Sequence, residues 1–144
     1  MAIHRMIITS RLILEHFGQT LFLEQTSRNG GGLSFPGGKV ERTEFAREGL
    51  VRETLEEIGA VIDIKQLDLV HVMHRNLSSA TEVIFFFRAS QWLGELRVRE
   101  PAKFKAIRWV DNEVLPDELV AAMRHALKKY RKGKLFSEFP KEKL

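Results

Sequence analysis

The sequence predicts an α/β (or α+β) sandwich in which helices flank a mixed β-sheet. Apolar, β-branched runs separated by turn signals fill most of the chain, and two amphipathic helical segments interrupt them. At 144 residues the chain suits one domain with a real core better than two.

In chain order, "HRMIITSRLILEH" (4–16) and "TLFLEQTS" (20–27) read as strands joined by the tight turn "FGQ". "RNGGG" (28–32) is a loop, because three consecutive glycines hold regular structure only at a high entropic cost. "LSFPGGKV" is a short extended piece broken by Pro36 and the Gly37–Gly38 pair, and a helix follows it. Thr43 is the expected N-cap of that helix, Glu44 sits at its positive end and Gly59 closes it in the left-handed conformation. Val51, Leu55 and Ile58 recur at i, i+4 and i+7 and form its predicted buried stripe. Residues 61–75 and 81–90 read as strands, the second buried on both faces. A long polar loop (91–104) and a further strand (105–112) come next. Residues 116–133 form an amphipathic helix with Leu119, Met123 and Leu127 as its apolar stripe and Pro116 and Asp117 at its start. One domain is expected over 1–133, with 134–144 as a solvated basic tail.

A hydrophobic share of 44% with 29% charged residues describes a soluble globular protein. The absence of cysteine excludes disulfides, thiolate nucleophiles and Cys-ligated zinc or iron–sulfur sites, and fits a cytoplasmic location. His4, Arg5, Arg11 and Glu15 interrupt the first apolar residues, so no signal-peptide core is expected. The longest apolar run, 83–87, is far below the roughly 20 residues that cross a bilayer, so no membrane partner is expected. The net charge of +4 suits an anionic partner and plain solubility alike. Nucleic acid is not the expected partner, because the basic residues are dispersed apart from the tail and no aromatic-studded RNA-binding signature is present. His4 and His125 stand without neighbours that would suggest zinc, and read as structural.

Against that basic background, "GGKVERTEFAREGLVRETLEEIGA" (37–60) crowds carboxylates onto one helix. At about 100° per residue, Glu53, Glu56 and Glu57 fall within an arc of roughly 100°. Glu48, Arg52 and Glu56 form an i, i+4 ladder that a surface ion-pair network explains. Glu53 and Glu57 meet no cation at i±3 or i±4. Spacing alone leaves two readings open, a solvated acidic face and a site for a hard divalent cation that bridges carboxylates to phosphates.

The spacing resembles the box of the Nudix hydrolases: a Gly, five residues, a Glu, seven residues, then Arg-Glu-apolar-any-Glu-Glu-any-Gly-apolar. Gly38, Glu44 and "RETLEEIGA" (52–60) fill every polar and glycine position, and "LSFPGG" is similar to the usual lead-in. Thr54 and Ala60 depart from the two apolar positions and bear on packing. The resemblance implies a Nudix-type sandwich, with Glu53, Glu56, Glu57 and the Gly37 carbonyl as ligands of Mg²⁺ or Mn²⁺. It implies an ion pair between Glu44 and Arg52 that fixes the helix, with Arg52 also orienting Glu53. Its chemistry is attack of water on phosphorus in a nucleoside diphosphate linked to a group X. The general base is then Glu53 or a glutamate of the 91–104 loop, which holds Glu95 and Glu100, with Glu100 favoured of these two.

The box says nothing of X. The proline of the ADP-ribose type some sixteen residues past the box is missing from "MHRNLSS", and the only tyrosine, Tyr130, is far from the place it takes in dinucleotide polyphosphate enzymes. The remaining expectation is a MutT-like nucleoside triphosphate pyrophosphohydrolase. Phe35, Arg75 and Trp92 are its predicted substrate contacts, with His74 and Asn76 as further candidates, whereas Phe87 and Trp109 read as core. Non-catalytic nucleotide-sensing relatives generally lose box glutamates, and this chain keeps all of them. Homodimers are common among similar proteins, though no residue here argues for one.

Overall fold

The computed structural model describes residues 3–140. Its elements are β1 (Arg5–His16), β2 (Gln19–Gln25), β3 (Leu33–Ser34), β4 (Gly37–Lys39), α1 (Ala46–Ile58), β5 (Asp68–Asn76), β6 (Ala80–Ala89), β7 (Phe104–Asp111), α2 (Ala121–Arg131) and β8 (Phe136–Phe139). The strands follow the order β3-β2-β1-β6-β5-β8, with β4 paired to β1 and β7 to β2. β1 runs parallel to β6, and β5 parallel to β8, while the other pairs are antiparallel, so the sheet is mixed as expected.

Strand alternation sends side chains to two cores. Leu12, Leu14, Leu21, Leu23 and Phe87 meet Leu50 and Ile58 of α1 on one face. Ile13, Phe22, Ile84 and Phe86 meet Ala122, Met123, Ala126 and Leu127 of α2 on the other. The apolar run of β6 therefore serves both layers, which is what its continuous pattern implied.

Several boundaries differ from the sequence reading. Phe45, not Thr43, occupies the N-cap of α1; its side chain offers no acceptor, and Glu48 Oε1 instead accepts from the Phe45 N–H at 2.9 Å. The buried face of α1 is Leu50, Thr54, Glu57 and Ile58, whereas Leu55 is 43% exposed and Val51 half-buried. Before β5, Val61 forms an isolated bridge with Leu93 and Ile64–Gln66 makes a turn capped by Asp63, so the strand starts only at Asp68. α2 starts at Ala121, and Leu119 enters the same core from the preceding turn by bridging Leu33.

The sheet also continues past residue 133, where a solvated tail was expected. Phe136–Phe139 pairs with β5 from Val72 to Arg75, because "FSEF" extends along an edge strand whose His71 needs partners. The buried His71 ring donates from Nδ1 to the Lys134 carbonyl at 2.8 Å and accepts at Nε2 from the Ser137 hydroxyl at 2.7 Å. The last part of the expected tail, 141–144, lies outside the described residues. Among the described residues, no helix is long and apolar enough to cross a membrane.

Candidate active site

Two adjacent glycines of β4 seat two carboxylates of α1. Gly37 has φ +133°, and a Cβ there would stand 2.0 Å from the Ser10 carbonyl oxygen, so only glycine fits. Its N–H donates to Glu57 Oε1 at 2.8 Å. A Cβ on Gly38 would stand 2.8 Å from Glu53 Oε1, so the bare backbone lets Glu53 lie against the strand. Glu57 is only 3% exposed, and burial pushes its carboxyl up to about 8 despite the Gly37 N–H and the nearby Arg11. Burial also raises Glu53, against the opposing pull of Arg52.

Arg52 organises the other side of α1. Its Nη2 and Nε donate to the two oxygens of Glu44 at 2.7 and 3.2 Å, a bidentate pair that draws the Glu44 carboxyl below its ordinary value. Glu44 also accepts from the Glu41 N–H at 2.8 Å, which fixes the loop ahead of the helix. Arg52 Nη1 reaches Glu53 Oε1 at 3.2 Å and Glu56 Oε2 at 3.3 Å. Glu53 thus has a cation after all, from its immediate neighbour, because a long guanidinium reaches sideways where counting i±3 and i±4 does not look.

Beneath the glycines lies Arg11 of β1, a residue not singled out as functional from the sequence. Its Nη1 donates to the carbonyls of Phe35 at 3.0 Å and Gly37 at 3.2 Å, and its buried Nε has no hydrogen-bond partner. Burial depresses its guanidinium, with Glu57, Glu82 and Glu53 acting in the opposite sense. The Gly37 carbonyl, an expected metal ligand, therefore already accepts from Arg11. An arginine set amid the core leucines of a strand was the available signal, but its partners lie 24 and 26 residues away.

Glu100 approaches from the turn before β7. Its Oε1 is buried without a hydrogen-bond partner, its Oε2 lies 3.4 Å from Lys103 Nζ, and its charge contributes to raising Glu57. The loop that carries it is tied to the end of α1: the Arg97 N–H donates to Ile58 at 3.1 Å and the Arg99 N–H to Glu57 at 2.8 Å, both to backbone carbonyls. Arg11, Lys39, Glu53, Glu57, Glu82 and Lys103 contribute to the walls of a cleft of about 410 Å³.

The NUDIX domain profile matches residues 6–130, nearly the whole of the fold just described. This chain belongs to the NUDIX family. An 8-oxo-dGTP diphosphatase of Proteus vulgaris is 37% identical over 70 residues, 49% of this chain and 61% of that protein. The chain thus aligns with about three fifths of that relative's length. Among solved structures, a MutT NUDIX hydrolase from Burkholderia pseudomallei superposes with a TM-score of 0.78 at 26% identity, covering 87% of this chain and 98% of that one. The E. coli ORF135 protein gives 0.77 at 26% identity, over 90% and 91%.

Of the NUDIX box residues, Gly38, Glu53 and Glu57 line the cleft, while Glu44, Arg52 and Glu56 stand beside it on the Arg52 network, and the predicted substrate contacts fall in several places. Phe35 is 1% exposed and packs its ring 5.1 Å from Phe22 and 5.8 Å from Phe86, so it is core on the α2 side and no surface for a base. Trp92 lies edge-on to His16 at 4.8 Å and lines a separate cavity of about 590 Å³ at the far end of β1. A polar loop does not make its one tryptophan polar, and here the indole closes the apolar end of the sheet. Glu95 lines a neighbouring cavity there with Trp109, away from the carboxylates. Arg75 reaches the cleft through Glu82, 3.6 Å away, with its guanidinium 5.8 Å from the Phe139 ring centroid. Phe87 is core as expected, under the guanidinium of Arg47.

Among the described residues no three His, Asp or Glu side chains already converge as a ligand cage. The donor set nonetheless fits a hard divalent cation. Glu57 is a buried carboxylate, Glu100 Oε1 is an orphaned buried acceptor, and Glu53 of α1 lies against Gly38. Half-exposed Glu56 stands at the outer side, held by Arg52.

Proposed function

We propose that this chain hydrolyses a nucleoside diphosphate linked to X with Mg²⁺ or Mn²⁺, acting as a (d)NTP pyrophosphohydrolase that releases a nucleoside monophosphate and pyrophosphate. The observation that carries the reading is Glu57, a carboxylate held almost wholly out of water on the Gly37 N–H and facing a cleft beside Glu53. Burying a carboxyl costs the fold free energy once it ionises, a cost that a bound divalent cation offsets. The name of the Proteus vulgaris relative supports a nucleoside triphosphate as substrate.

Glu53, Glu56 and Glu57 would hold the ion, which supplies charge neutralisation at the phosphates and a lowered pKa for attacking water. Lys39, Lys103 and Arg11 add positive charge to the cleft for a polyanionic substrate. Glu100, with its unpartnered buried oxygen and its other oxygen 3.4 Å from Lys103 Nζ, is the base that accepts the proton of the water. Arg52 positions Glu53 while Glu44 positions Arg52.

The test is a panel of dNTPs, 8-oxo-dGTP, ADP-ribose, dinucleotide polyphosphates and capped RNA, assayed with Mg²⁺ for phosphate-containing products. Release of pyrophosphate from a triphosphate, lost in Glu56→Gln with an unchanged circular dichroism spectrum, is the expected result. Undiminished turnover in that variant refutes the metal assignment, and no turnover of any panel member by the wild type refutes the enzyme reading.

A further inference from the structure

We propose that Glu82 reads the base of the substrate and selects a guanine-type Watson–Crick edge, an inference that rests on the nucleotide hydrolase reading above. Glu82 lines the same cleft as Glu53 and Glu57 but comes from β6, on the opposite side of β1 from the glycine strand. β4, β1 and β6 are successive neighbours, and Glu82 pairs with Ile7, three residues along β1 from Ser10, the partner of Gly38, so Glu82 lies two strand spacings across the sheet and three residues along it from Gly38. A nucleotide whose phosphates lie at the α1 carboxylates and the lysines spans that distance with its sugar and presents its base to Glu82.

The carboxylate is held for a purpose of this kind. Glu82 Oε2 accepts from the buried Thr9 hydroxyl at 2.6 Å, and Oε1 lies 3.6 Å from Arg75 Nη1. Its side chain is only 13% exposed, so its position is fixed by strand neighbours and not by water. A carboxylate has about four acceptor sites, and these contacts leave at least one on each oxygen. A fixed negative group in a cleft for polyanions repels substrate unless it faces donors. Guanine is the base that offers two adjacent N–H donors on one edge, N1–H and N2–H₂, matching the two oxygens of a carboxylate. Adenine and cytosine set a lone-pair nitrogen beside their amino group, which a carboxylate repels. Oxidation at C8 leaves this edge unchanged, so dGTP and 8-oxo-dGTP share the chemistry and separate comparison of the two tells which one the cleft prefers.

The experiment compares kcat/KM for dGTP, 8-oxo-dGTP, dITP and dATP in the wild type and in Glu82→Gln, which keeps an acceptor for Thr9. The wild type is expected to prefer both guanine nucleotides over dITP, which lacks only the 2-amino group, by roughly tenfold or more, the range for hydrogen bonds to a charged group. Glu82→Gln is expected to shrink that preference severalfold and Glu82→Ala to abolish it, with dITP, which keeps N1–H but lacks the 2-amino group, losing less activity than dGTP. A guanine preference that is absent in the wild type, or unchanged in both variants, overturns the assignment. Calorimetric binding of GMP against IMP reads the same edge without turnover, so an inactive wild type that still prefers GMP sinks only the hydrolase reading. Equal or absent binding of GMP and IMP sinks this one.

Discussion

Glu57→Gln removes one buried charge while keeping the shape of the side chain and an oxygen for the Gly37 N–H. In the native protein burial lifts this carboxyl from an ordinary 4.5 to about 8, so between those values the folded chain holds a proton that the unfolded chain has released. The stabilisation from a neutral Glu57 is complete below about pH 4.5 and is lost as pH rises towards about 8. Each pH unit in that window weakens the metal-free fold by about 1.4 kcal/mol, so the full loss is a few kcal/mol. The amide of the variant cannot ionise and escapes that loss. Urea unfolding in EDTA at pH 5 and pH 8.5 is the assay, read as the difference between the two proteins. The difference matters because the buried ring of His71, pulled down by desolvation, contributes a slope of the opposite sign. At pH 8.5 the variant should be the more stable protein by a few kcal/mol and catalytically dead. Added Mg²⁺ should restabilise only the wild type. A variant less stable than the wild type at pH 8.5 in EDTA would show that Glu57 is an ordinary structural carboxylate and refute the reasoning.

Gly38→Ala places a Cβ about 0.6 Å inside the ordinary contact distance to Glu53 Oε1, and the flexible end of Glu53 yields. Its kcat/KM should fall roughly tenfold or more through misplacement of that carboxylate, with the thermal midpoint nearly unchanged. Removal of residues 134–144 strips the buried His71 of both the Lys134 carbonyl and the Ser137 hydroxyl and leaves β5 without its neighbour. Thermal unfolding should register a loss of about 2 kcal/mol or more, whereas an indifferent tail would leave the midpoint in place.

What was legible in the sequence was whatever depended on spacing along the chain. The box, the mixed sheet and the doubly buried β6 all follow from periodicity and fixed offsets. The stripe of α1 was misassigned because an apolar count turns every carboxylate outwards, whereas this helix turns Glu57 inwards beside Thr54 and leaves Leu55 in water. Phe35 and Trp92 are assigned to substrate on their chemical type, but an aromatic ring is drawn first to the nearest apolar neighbours, Phe22 and Phe86 for one and Trp109 for the other. Arg11 and Glu82 could not be paired from sequence, since strand order across the sheet, and not position along it, brings them into one cleft. In the last strand, lysines on either side hid the short "FSEF" alternation.

The loop ahead of β7 carries a constraint on how this protein can change. Residues 97 and 99 are fastened to the backbone carbonyls of Ile58 and Glu57, so the reach from the helix end to Glu100 is counted in single residues. An inserted or deleted residue between Arg97 and Glu100 would rotate the carboxylate away from its partners even with every side chain retained. Nearer Gln91 the backbone is tied instead to Val61, beyond the helix, through Leu93. A change of length there leaves the reach to Glu100 as it was. Descendants of this sequence can therefore remodel the Trp92 end, while residues 97–100 behave as part of the helix end they are tied to.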